Sequence, residues 1–457
     1  MPHESLQSHE TLFGTDGVRG LAGTAITPAL AAEVARAFAA MLREEAALPH
    51  LLLARDTRVS GPELSDAFRD ELCRCGVRVT DCGVIPTGGL CLLVSRRDAD
   101  GGAIISASHN PPEFNGIKLV GRGGHKLPLD RQHRLEDLIR SHPAGCLLPA
   151  SGSGTWSEDA GAAAEYLQIA LEGVEPGCLS GLRVLLDCAH GSASSFAAAA
   201  FEHTGTEVHA VNCDADGAQI NVNCGSTHPA LLTRVTVQEG ADIGVAFDGD
   251  ADRVVLSDHR GRVIDGDASK YILAVDLQQR GLLEPPLVIG TVMNNYGLER
   301  ALEDAGIALE RTPVGDRHVV ERMRETGALL GGEQSGHLIF RDSLIGDGIR
   351  SALRLCEVVV RSGKSLAELA GPVRKIPQHL VNIHAENRDA WQGSDEVLEE
   401  ISGWERRLEG RGRILVRSSG TEPLVRIMVE AEDDEIAREA VHAVSVAIRM
   451  AATREGE

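Results

Sequence analysis

The feature that most constrains the fold is an alternation of short apolar segments with amphipathic segments that restarts several times along the chain. Strands of four or five residues separated by helical segments are typical of α/β layers. A stretch rich in Pro, Gly and Ser at 141–155 predicts the first domain boundary. The first round predicts three strands and two helices: Leu51–Ala54, Val77–Asp81 and 102–105, with helices at 26–45, N-capped by Thr27 with Pro28 at its first position, and at Gly61–Cys75.

Two further rounds follow the same pattern. The second predicts helices at Trp156–Leu171 and Ser192–Thr204, with strands at Arg183–Asp187, Glu207–Val211 and Asp242–Phe247. The third predicts strands near 253–257 and 287–291, with helices at 268–280 and near Asp316–Glu325.

The last segment, from about Pro372, has a different element order. Strands at His379–His384, Arg413–Val416 and Leu424–Glu430 combine with helices at Asp395–Leu408 and from Asp434, an order typical of α+β domains. The sequence therefore predicts three similar α/β domains with mixed sheets and a smaller C-terminal α+β domain, at 1–155, 156–254, 255–370 and 371–457.

Charge and composition exclude several classes of partner. The 45 basic and 67 acidic residues give a net charge of −22, which disfavours nucleic acids and anionic membrane surfaces. Aromatic residues are 3% of the chain, too few for base-stacking platforms. The N-terminus shows no signal-peptide pattern, no apolar run is long enough to span a bilayer, and the ten Cys form no CxxC pair. We therefore expect a cytoplasmic protein.

Ser108 and His109 follow the predicted strand at 102–105. Ligands bind at the carboxyl ends of strands in α/β sheets, and a Ser beside a His can be a nucleophile next to a proton carrier. An ordinary Asn-Pro turn holding both residues incidentally is the alternative. Lys118 lies on the next strand. Only five of the 45 basic residues are Lys, and a Lys among cations can lose its proton near neutral pH, so Lys118 is a candidate for acid-base chemistry.

Three carboxylates lie at alternate positions directly after the predicted strand Asp242–Phe247. Asp248, Asp250 and Asp252 can converge on one hard cation and leave it open positions for a phosphate oxygen, which Arg253 could also hold. A solvated acidic loop is the alternative. An EF-hand is excluded, because Arg253 stands where that loop requires Gly.

Three other segments suit polar ligands. In the first two, Glu333 and Ser335 in a Gly-rich turn can bind hydroxyls, and Arg19 lies between the second and third of three glycines spaced by three. In the third, backbone N–H groups, hydroxyls and guanidinium groups form a candidate phosphate nest at Arg417, Ser419, Thr421 and Arg426. A plain hairpin turn is the alternative for the first of these segments, and a surface turn is the alternative for the third. P-loop, HExxH, GxSxG and GxGxxG motifs are absent.

Taken together, these motifs resemble those of the α-D-phosphohexomutases, and within that family those of bacterial phosphoglucosamine mutases. The matching runs occur in the family order and span nearly the whole chain: FGTDGVRG (13–20), ISASHNP (105–111), NGIK (115–118), AFDGDADR (246–253), VGDRHV (314–319), GGEQSGH (331–337) and RSSGTEPLVR (417–426). The resemblance implies that the four predicted domains surround a central cleft.

The resemblance also implies roles for the candidate residues. Ser108 would carry a phosphate, and its phosphate oxygen would join Asp248, Asp250 and Asp252 in binding one Mg²⁺. Glu333 and Ser335 would bind sugar hydroxyls. The implied catalytic groups besides Ser108 are His109, Lys118, Arg19 and Arg253. The implied ligands of the substrate's non-reacting phosphate are Arg417, Ser419, Thr421 and Arg426.

The implied reaction interconverts glucosamine 6-phosphate and glucosamine 1-phosphate, for UDP-N-acetylglucosamine synthesis. Glucosamine 1,6-bisphosphate would be the intermediate, and it or glucose 1,6-bisphosphate the activator. Two alternatives stay open: a phosphomannomutase/phosphoglucomutase with the same chemistry, and a Mg²⁺-dependent phosphosugar-binding protein without turnover. The partner is a phosphosugar in each case. A homodimer is allowed but not indicated by the sequence.

Overall fold

The structure is a computed structural model that describes residues 12–14, 17–141, 154–343, 345–385, 387–419 and 423–454. These residues form two compact units. The larger unit comprises the described residues of Thr11–Met293 and Ile307–Gly371, and the smaller unit those of Asn294–Gly306 and Pro372–Glu457.

The first sheet has six strands and combines parallel with antiparallel pairs. Its order is β1-β5-β4-β2-β3-β6, in which β5 runs antiparallel to both of its neighbours. The cap predicted for the first helix is confirmed, since Thr27 Oγ1 accepts a hydrogen bond from Leu30 N at 3.2 Å. The elements are β1 (Val18–Leu21), α1 (Pro28–Glu45), β2 (His50–Arg55), α2 (Gly61–Arg74), β3 (Arg78–Val84), α3 (Thr87–Arg96), β4 (Gly101–Ile105), β5 (Phe114–Gly121), α4 (Leu129–Ser141) and β6 (Trp156–Glu158).

Strand β6 corrects one sequence prediction. A helix was expected over Trp156–Leu171, but its first three residues form an edge strand parallel to β3. Two tertiary contacts override the local preference. The backbone of Trp156 pairs with that of Val79, and the guanidinium of Arg69 lies 4.0 Å from the centre of the Trp156 ring. Only the later part of the segment is helical.

The second sheet has five strands in the order β11-β10-β9-β7-β8. Its central strands are parallel, whereas β10 turns back antiparallel to β9. The expectation that residues 253–257 begin the third unit is therefore wrong at the level of the sheet, because they extend the second one. The elements are α5 (Ala162–Ala170), β7 (Arg183–Asp187), α6 (Ala197–His203), β8 (Glu207–Val211), α7 (Pro229–Gln238), β9 (Ile243–Phe247), β10 (Val254–Asp258) and β11 (Val263–Ile264).

The third sheet has four strands in the order β13-β12-β14-β15, with only the β14–β15 pair antiparallel. Helix α9, between β12 and β13 in sequence, belongs to the smaller unit. The elements are α8 (Gly266–Gln279), β12 (Leu287–Thr291), α9 (Tyr296–Asp304), β13 (Ala308–Thr312), α10 (Asp316–Thr326), β14 (Leu330–Gly332), β15 (Leu338–Phe340), α11 (Gly348–Ser362) and α12 (Leu366–Leu369).

The fourth sheet is antiparallel throughout, in the order β16-β18-β17, and helices cover it. Trp404, Leu408, Val429 and Ile448 lie in its buried core. The predicted α+β character of the C-terminal segment is confirmed. No helix among the described residues is both long and apolar enough to cross a membrane. The elements are β16 (Gln378–His384), α13 (Asp395–Leu408), β17 (Gly412–Ser418), β18 (Leu424–Ala431) and α14 (Asp434–Arg454).

Candidate active site

Ser108 lies in a buried loop directly after the fully buried strand β4. Its side chain is almost inaccessible, and its backbone adopts a left-handed φ of 52°, which is rare for a residue other than Gly. The Ser108 hydroxyl donates a hydrogen bond to Asp248 Oδ2 at 2.7 Å, and it lies 3.4 Å from His109 Nδ1. The candidate nucleophile therefore contacts the acidic cluster, although Ser108 and Asp248 are 140 residues apart in the sequence.

The three Asp side chains converge after strand β9. Asp248, Asp250 and Asp252 are buried, and one carboxylate oxygen from each lies within 4.8 Å of the others. Ala251 adopts a φ of 55° in this tight loop. Its N–H donates a hydrogen bond to Asp248 O, and its own carbonyl oxygen accepts one from Gly348 N. The loop connects two antiparallel strands, so both of its ends are fixed by the second sheet.

Gly249 allows this loop to approach the Ser108 loop. A Cβ atom at position 249 would lie 2.7 Å from Ser108 O and 2.8 Å from a methyl group of Ile220. These distances are shorter than side-chain carbon atoms tolerate. The glycine between the first two carboxylates is therefore required by the contact between the two loops.

Opposing charges act on the acidic cluster. Burial and the neighbouring charges of Asp252 and Asp250 raise the pKa of Asp248 well above its usual range. Burial would also raise the pKa of Asp252, but Lys118 and His337 lower it overall. The Lys118 ammonium donates to Asp250 Oδ2 at 2.6 Å and to Asp252 Oδ2 at 3.3 Å. The Lys118 ammonium is thus paired with two carboxylates, whereas the sequence analysis expected this lysine to lie among cations.

The acidic cluster suits a hard divalent cation. Among the described residues, Asp250 Oδ1 is buried and accepts no hydrogen bond, and the buried Asp252 Oδ1 has His337 Nδ1 at 3.6 Å. Buried carboxylate oxygens without a donor are costly unless a cation is close to them. Oxygen ligands in this number match the preference of Mg²⁺, which leaves positions open for substrate oxygens. The residues present therefore fit the metal that the resemblance implies.

Two arginines form the cationic side of the site, and His109 lies beside them. Arg253 Nη1 lies 3.0 Å from His109 Nδ1, and the Arg253 backbone N–H donates to Asp248 Oδ1 at 3.1 Å. Burial, then Arg253 and Arg19, lower the pKa of His109 to about 4. His109 is therefore neutral at physiological pH, and its ring nitrogen accepts from the guanidinium.

The candidate sugar-binding turn belongs to the same compact unit. Glu333 Oε1 accepts from Gly315 N at 3.0 Å, and Glu333 Oε2 accepts from Ser335 Oγ at 3.3 Å. The Glu333 side chain is half-buried and Ser335 is exposed, so both are accessible to a ligand. Behind them, the buried Lys270 ammonium donates to Gly332 O at 2.9 Å and fixes the start of the turn.

Residue His337 closes the other end of this turn and was not singled out from the sequence. Its Nδ1 atom lies 3.6 Å from Asp252 Oδ1, and its Nε2 atom lies 3.5 Å from Asp316 Oδ2. Burial would lower the pKa of His337, but Asp252 raises it overall. The turn that carries Glu333 is thereby connected to the third member of the acidic cluster.

The candidate phosphate ligands lie in the smaller unit. Arg417 on β17 and Arg426 on β18 are directly paired across the sheet, and Ser419 N donates to Leu424 O at 2.8 Å. Burial and the nearby Arg426 lower the pKa of Arg417. Two guanidinium groups at paired positions favour an anion between them. Thr421 lies outside the described residues.

Three further residues tie the site together and were missed by the sequence analysis. Thr87, at the first position of α3, donates from Oγ1 to Asp250 Oδ2 at 2.5 Å. Arg58 and Asn221 both donate to the carbonyl oxygen of Ser108, each at 2.9 Å. A signal was available for Arg58, since the run RDTR at 55–58 begins on the last residue of β2, which pairs in parallel with β4. No comparable local signal marks Thr87 or Asn221.

Comparison with known protein families covers nearly the whole chain. Four domain families of phosphoglucomutase/phosphomannomutase match in order: alpha/beta/alpha domain I at 10–144, domain II at 164–261, domain III at 265–376 and the C-terminal domain at 380–446. The domain boundaries predicted from the sequence stay predictions, because these matches do not fix where each domain begins and ends.

Individual relatives give the same assignment. A phosphoglucosamine mutase from Thermoanaerobacter sp. (strain X514) is 44% identical over 425 residues, which are 92% of this chain and 95% of the relative. A solved phosphoglucomutase/phosphomannomutase family protein from Burkholderia thailandensis has a TM-score of 0.82 at 26% identity, over 96% of this chain and 97% of the other.

A more distant solved structure shares the fold. An N-acetylphosphoglucosamine mutase from Aspergillus fumigatus, in complex with GlcNAc-6P and magnesium, has a TM-score of 0.62 at 17% identity, over 96% of both chains. The motif order, the four domain matches and the 44% identity over most of the chain lead to one assignment. The chain belongs to the phosphoglucomutase/phosphomannomutase family.

Proposed function

We propose that the chain is a phosphoglucosamine mutase that interconverts glucosamine 6-phosphate and glucosamine 1-phosphate through a phosphorylated Ser108. The observation that carries this proposal is the 2.7 Å hydrogen bond from Ser108 Oγ into the buried acidic cluster. A serine at this place can hold a phosphoryl group whose charge is balanced by a cation bound to Asp248, Asp250 and Asp252. Bound Mg²⁺ would supply charge neutralisation for the transferring phosphoryl group.

The transfer exchanges one phosphorus–oxygen bond for another in each half-reaction. The bond between phosphorus and Ser108 Oγ breaks while the sugar O1 of glucosamine 6-phosphate bonds to the same phosphorus, which gives the 1,6-bisphosphate. The O1 proton must leave and Ser108 Oγ must gain one. The second half-reaction returns the 6-phosphoryl group to Ser108, with the protons moving in the opposite sense. Lys118 and His109 are the proposed proton carriers, Lys118 first.

The remaining groups bind and orient the sugar. Arg253 and Arg19 would stabilise charge on the transferring phosphoryl group, consistent with their influence on His109. Glu333 and Ser335 would bind hydroxyls that the sugar presents in both orientations. The non-reacting phosphate would bind at Arg417, Ser419, Thr421 and Arg426. Glucosamine or glucose 1,6-bisphosphate would serve as intermediate or activator.

The identity of the sugar rests on the relatives. The alternative phosphomannomutase/phosphoglucomutase reaction uses the same serine and acidic cluster, so site geometry does not separate the two. The 44% identity to a protein named phosphoglucosamine mutase favours glucosamine. A cytoplasmic location and a role in UDP-N-acetylglucosamine synthesis follow from this proposal.

The deciding experiment compares turnover of glucosamine 6-phosphate with that of glucose and mannose phosphates in a coupled assay with Mg²⁺. We expect Ser108→Ala to lose nearly all turnover and the mass of one phosphate, while Ser180→Ala, at an exposed serine, keeps both. Wild-type turnover by Ser108→Ala would refute the mechanism. Better turnover of mannose 1-phosphate would move the assignment to the alternative. Binding without turnover of any phosphosugar would favour a non-catalytic protein.

A further inference from the structure

Arg58 is a fully buried arginine beside the active site, and no role has yet been assigned to it. It follows strand β2, which pairs in parallel with β4, the strand that leads into the Ser108 loop. Its Nε atom donates to Asp56 Oδ2 at 3.0 Å, and the Asp56 side chain is also fully buried. A guanidinium withdrawn from water in this way is costly unless all of its donors are used.

The other donors of Arg58 all go to main-chain carbonyl groups of the Ser108 loop. Nη2 donates to Ser108 O at 2.9 Å and to Asn110 O at 2.7 Å. Nη1 donates to Pro111 O at 2.5 Å and to Phe114 O at 2.8 Å. The planar fork of one guanidinium therefore holds three carbonyls of the irregular segment between β4 and β5 and a fourth at Phe114, the first residue of β5.

The segment held by Arg58 contains one of the strained residues of the site, Ser108. Ser108 has a φ of 52°, a conformation that persists in a residue other than Gly only where the surroundings enforce it. Two more contacts enforce it from the same side. Ser108 N donates to Ser106 Oγ at 2.9 Å, and Ser106 Oγ donates to Asp56 Oδ2 at 2.7 Å, so Asp56 and Arg58 support the turn together.

A second side chain reaches the same carbonyls from another part of the chain. Asn221 Nδ2 donates to Ser108 O at 2.9 Å and to Asn110 O at 3.0 Å. Asn221 belongs to the segment between β8 and α7, and its own N–H donates to Ala189 O. The Ser108 loop is thus held by donors from the first two sheet regions at once.

We propose that Arg58, assisted by Asn221, is a positioning residue that fixes the Ser108 backbone so that Oγ faces the acidic cluster. It is not a catalytic residue, because its hydrogen bonds go to Asp56 and to main-chain oxygens rather than to the reacting atoms. The inference rests on the proposed phosphoryl transfer at Ser108, but not on which sugar accepts the group. Its loss should slow the transfer step and leave sugar binding nearly unchanged, since a small displacement of reacting atoms lowers rates far more than affinity.

The test measures phosphorylation of Ser108 in the full-length protein by glucose 1,6-bisphosphate, in Mg²⁺, with intact-protein mass spectrometry. In this half-reaction the sugar–phosphate bond breaks, phosphorus bonds to Ser108 Oγ, and the serine proton ends on the departing sugar oxygen. We expect Arg58→Lys to slow this step and kcat by about 10²-fold with little change in KM. Arg58→Ala should be slower still and should recover in part with added guanidinium at concentrations that do not unfold the protein.

The matched control is Arg36→Lys, which alters a half-buried arginine paired with Glu71 between α1 and α2, away from the Ser108 loop. It should keep the wild-type phosphorylation rate. Folded Arg58 variants with wild-type rates would overturn the proposal, as would a loss confined to KM or a loss that guanidinium leaves unchanged.

If the Arg58 variants do not fold, Asn221→Ala tests the same arrangement, because it removes two donors from the same carbonyls. A slower phosphorylation step supports the proposal, and a wild-type rate in that folded variant overturns it. If the wild-type protein is phosphorylated by the bisphosphate but does not convert glucosamine 6-phosphate, the proposed sugar specificity fails while the inference about Arg58 stands.

Discussion

Replacing Asp248 by Asn should stabilise the metal-free protein and destabilise it relative to wild type once Mg²⁺ is added. The three carboxylates have oxygens within 4.8 Å of one another, and at that distance two unit charges interact by about 3 kcal/mol at an effective dielectric constant of about 20. Lys118 offsets part of the repulsion through Asp250 and Asp252. The pKa of Asp248 is raised, whereas Lys118 helps to lower that of Asp252, so Asp248 bears most of the remaining cost.

The net gain is smaller than the Coulomb figure, because the carboxyl can take up a proton instead. Burial and the neighbouring Asp252 and Asp250 raise the pKa of Asp248 above its value in the unfolded chain. The stability that this group contributes is therefore complete at acidic pH and is lost as the pH rises through the folded-state pKa. In chelator, we expect Asp248→Asn to be more stable than wild type by about 1–2 kcal/mol at slightly alkaline pH, and the difference to grow with pH.

The measurement is the melting temperature of both proteins in chelator and in Mg²⁺. A ligand at a hundred times its Kd stabilises the folded state by about 2.7 kcal/mol, so Mg²⁺ should raise the melting temperature of the wild type above that of the variant. The exposed Asp137→Asn is the control and should follow the wild type in both solutions. A variant that is less stable than wild type in chelator, or that gains as much from Mg²⁺, would refute the argument.

Three other outcomes are expected. Gly249→Ala should lose about 1–3 kcal/mol of stability and most of kcat, since its Cβ would lie 2.7 Å from Ser108 O. Gly393→Ala, with open space around it, should change neither. Thermal melting and turnover measurements check this, and unchanged values at position 249 would contradict it. Arg417→Ala should raise KM for the phosphosugar about ten- to a hundredfold, by loss of a charge-assisted contact, and unaltered kinetics would show that the β17–β18 loop does not bind phosphate. The kcat/KM for glucosamine 6-phosphate should exceed that for glucose or mannose phosphates by at least ~10²-fold in parallel assays, because glucosamine carries an ammonium at position 2 where the other two carry a hydroxyl, and a site that pairs with the ammonium discriminates against the hydroxyl; equal values would argue against glucosamine as the substrate.

Sequence reasoning found the parts of the site that are encoded by short motifs at strand ends. Ser108 after β4 and the three carboxylates after β9 were both predicted from local patterns, and the structure brings them together. Their proximity came only through the family resemblance, because it depends on how two sheets are placed. Asn221 shows the limit most clearly: no local pattern marks it, and its partners Ser108 and Asn110 lie 113 and 111 residues away.

The fold was predictable to a similar degree. Parallel strands such as β2, β7 and β12 were located from their apolar runs. Strand β6 was taken for the start of a helix, and β10 was assigned to the third unit instead of the second. Strand β6 is defined by pairing with β3, which is distant in the chain, and β10 is defined by turning back to pair with the preceding strand β9. Neither kind of pairing can be recognised from a single apolar run.

The separation of Ser108 from Asp248 by 140 residues also has a consequence for synthesis of the protein. At ~5–20 residues per second, the ribosome needs on the order of ten seconds to add the second loop after the first has been made. During that interval the emerging chain holds a serine without its acidic partner. The Asp56, Ser106 and Arg58 contacts are all encoded before or within the Ser108 loop, so the turn can form early. The acidic loop and Asn221 would then dock onto a turn whose own supporting contacts were made first.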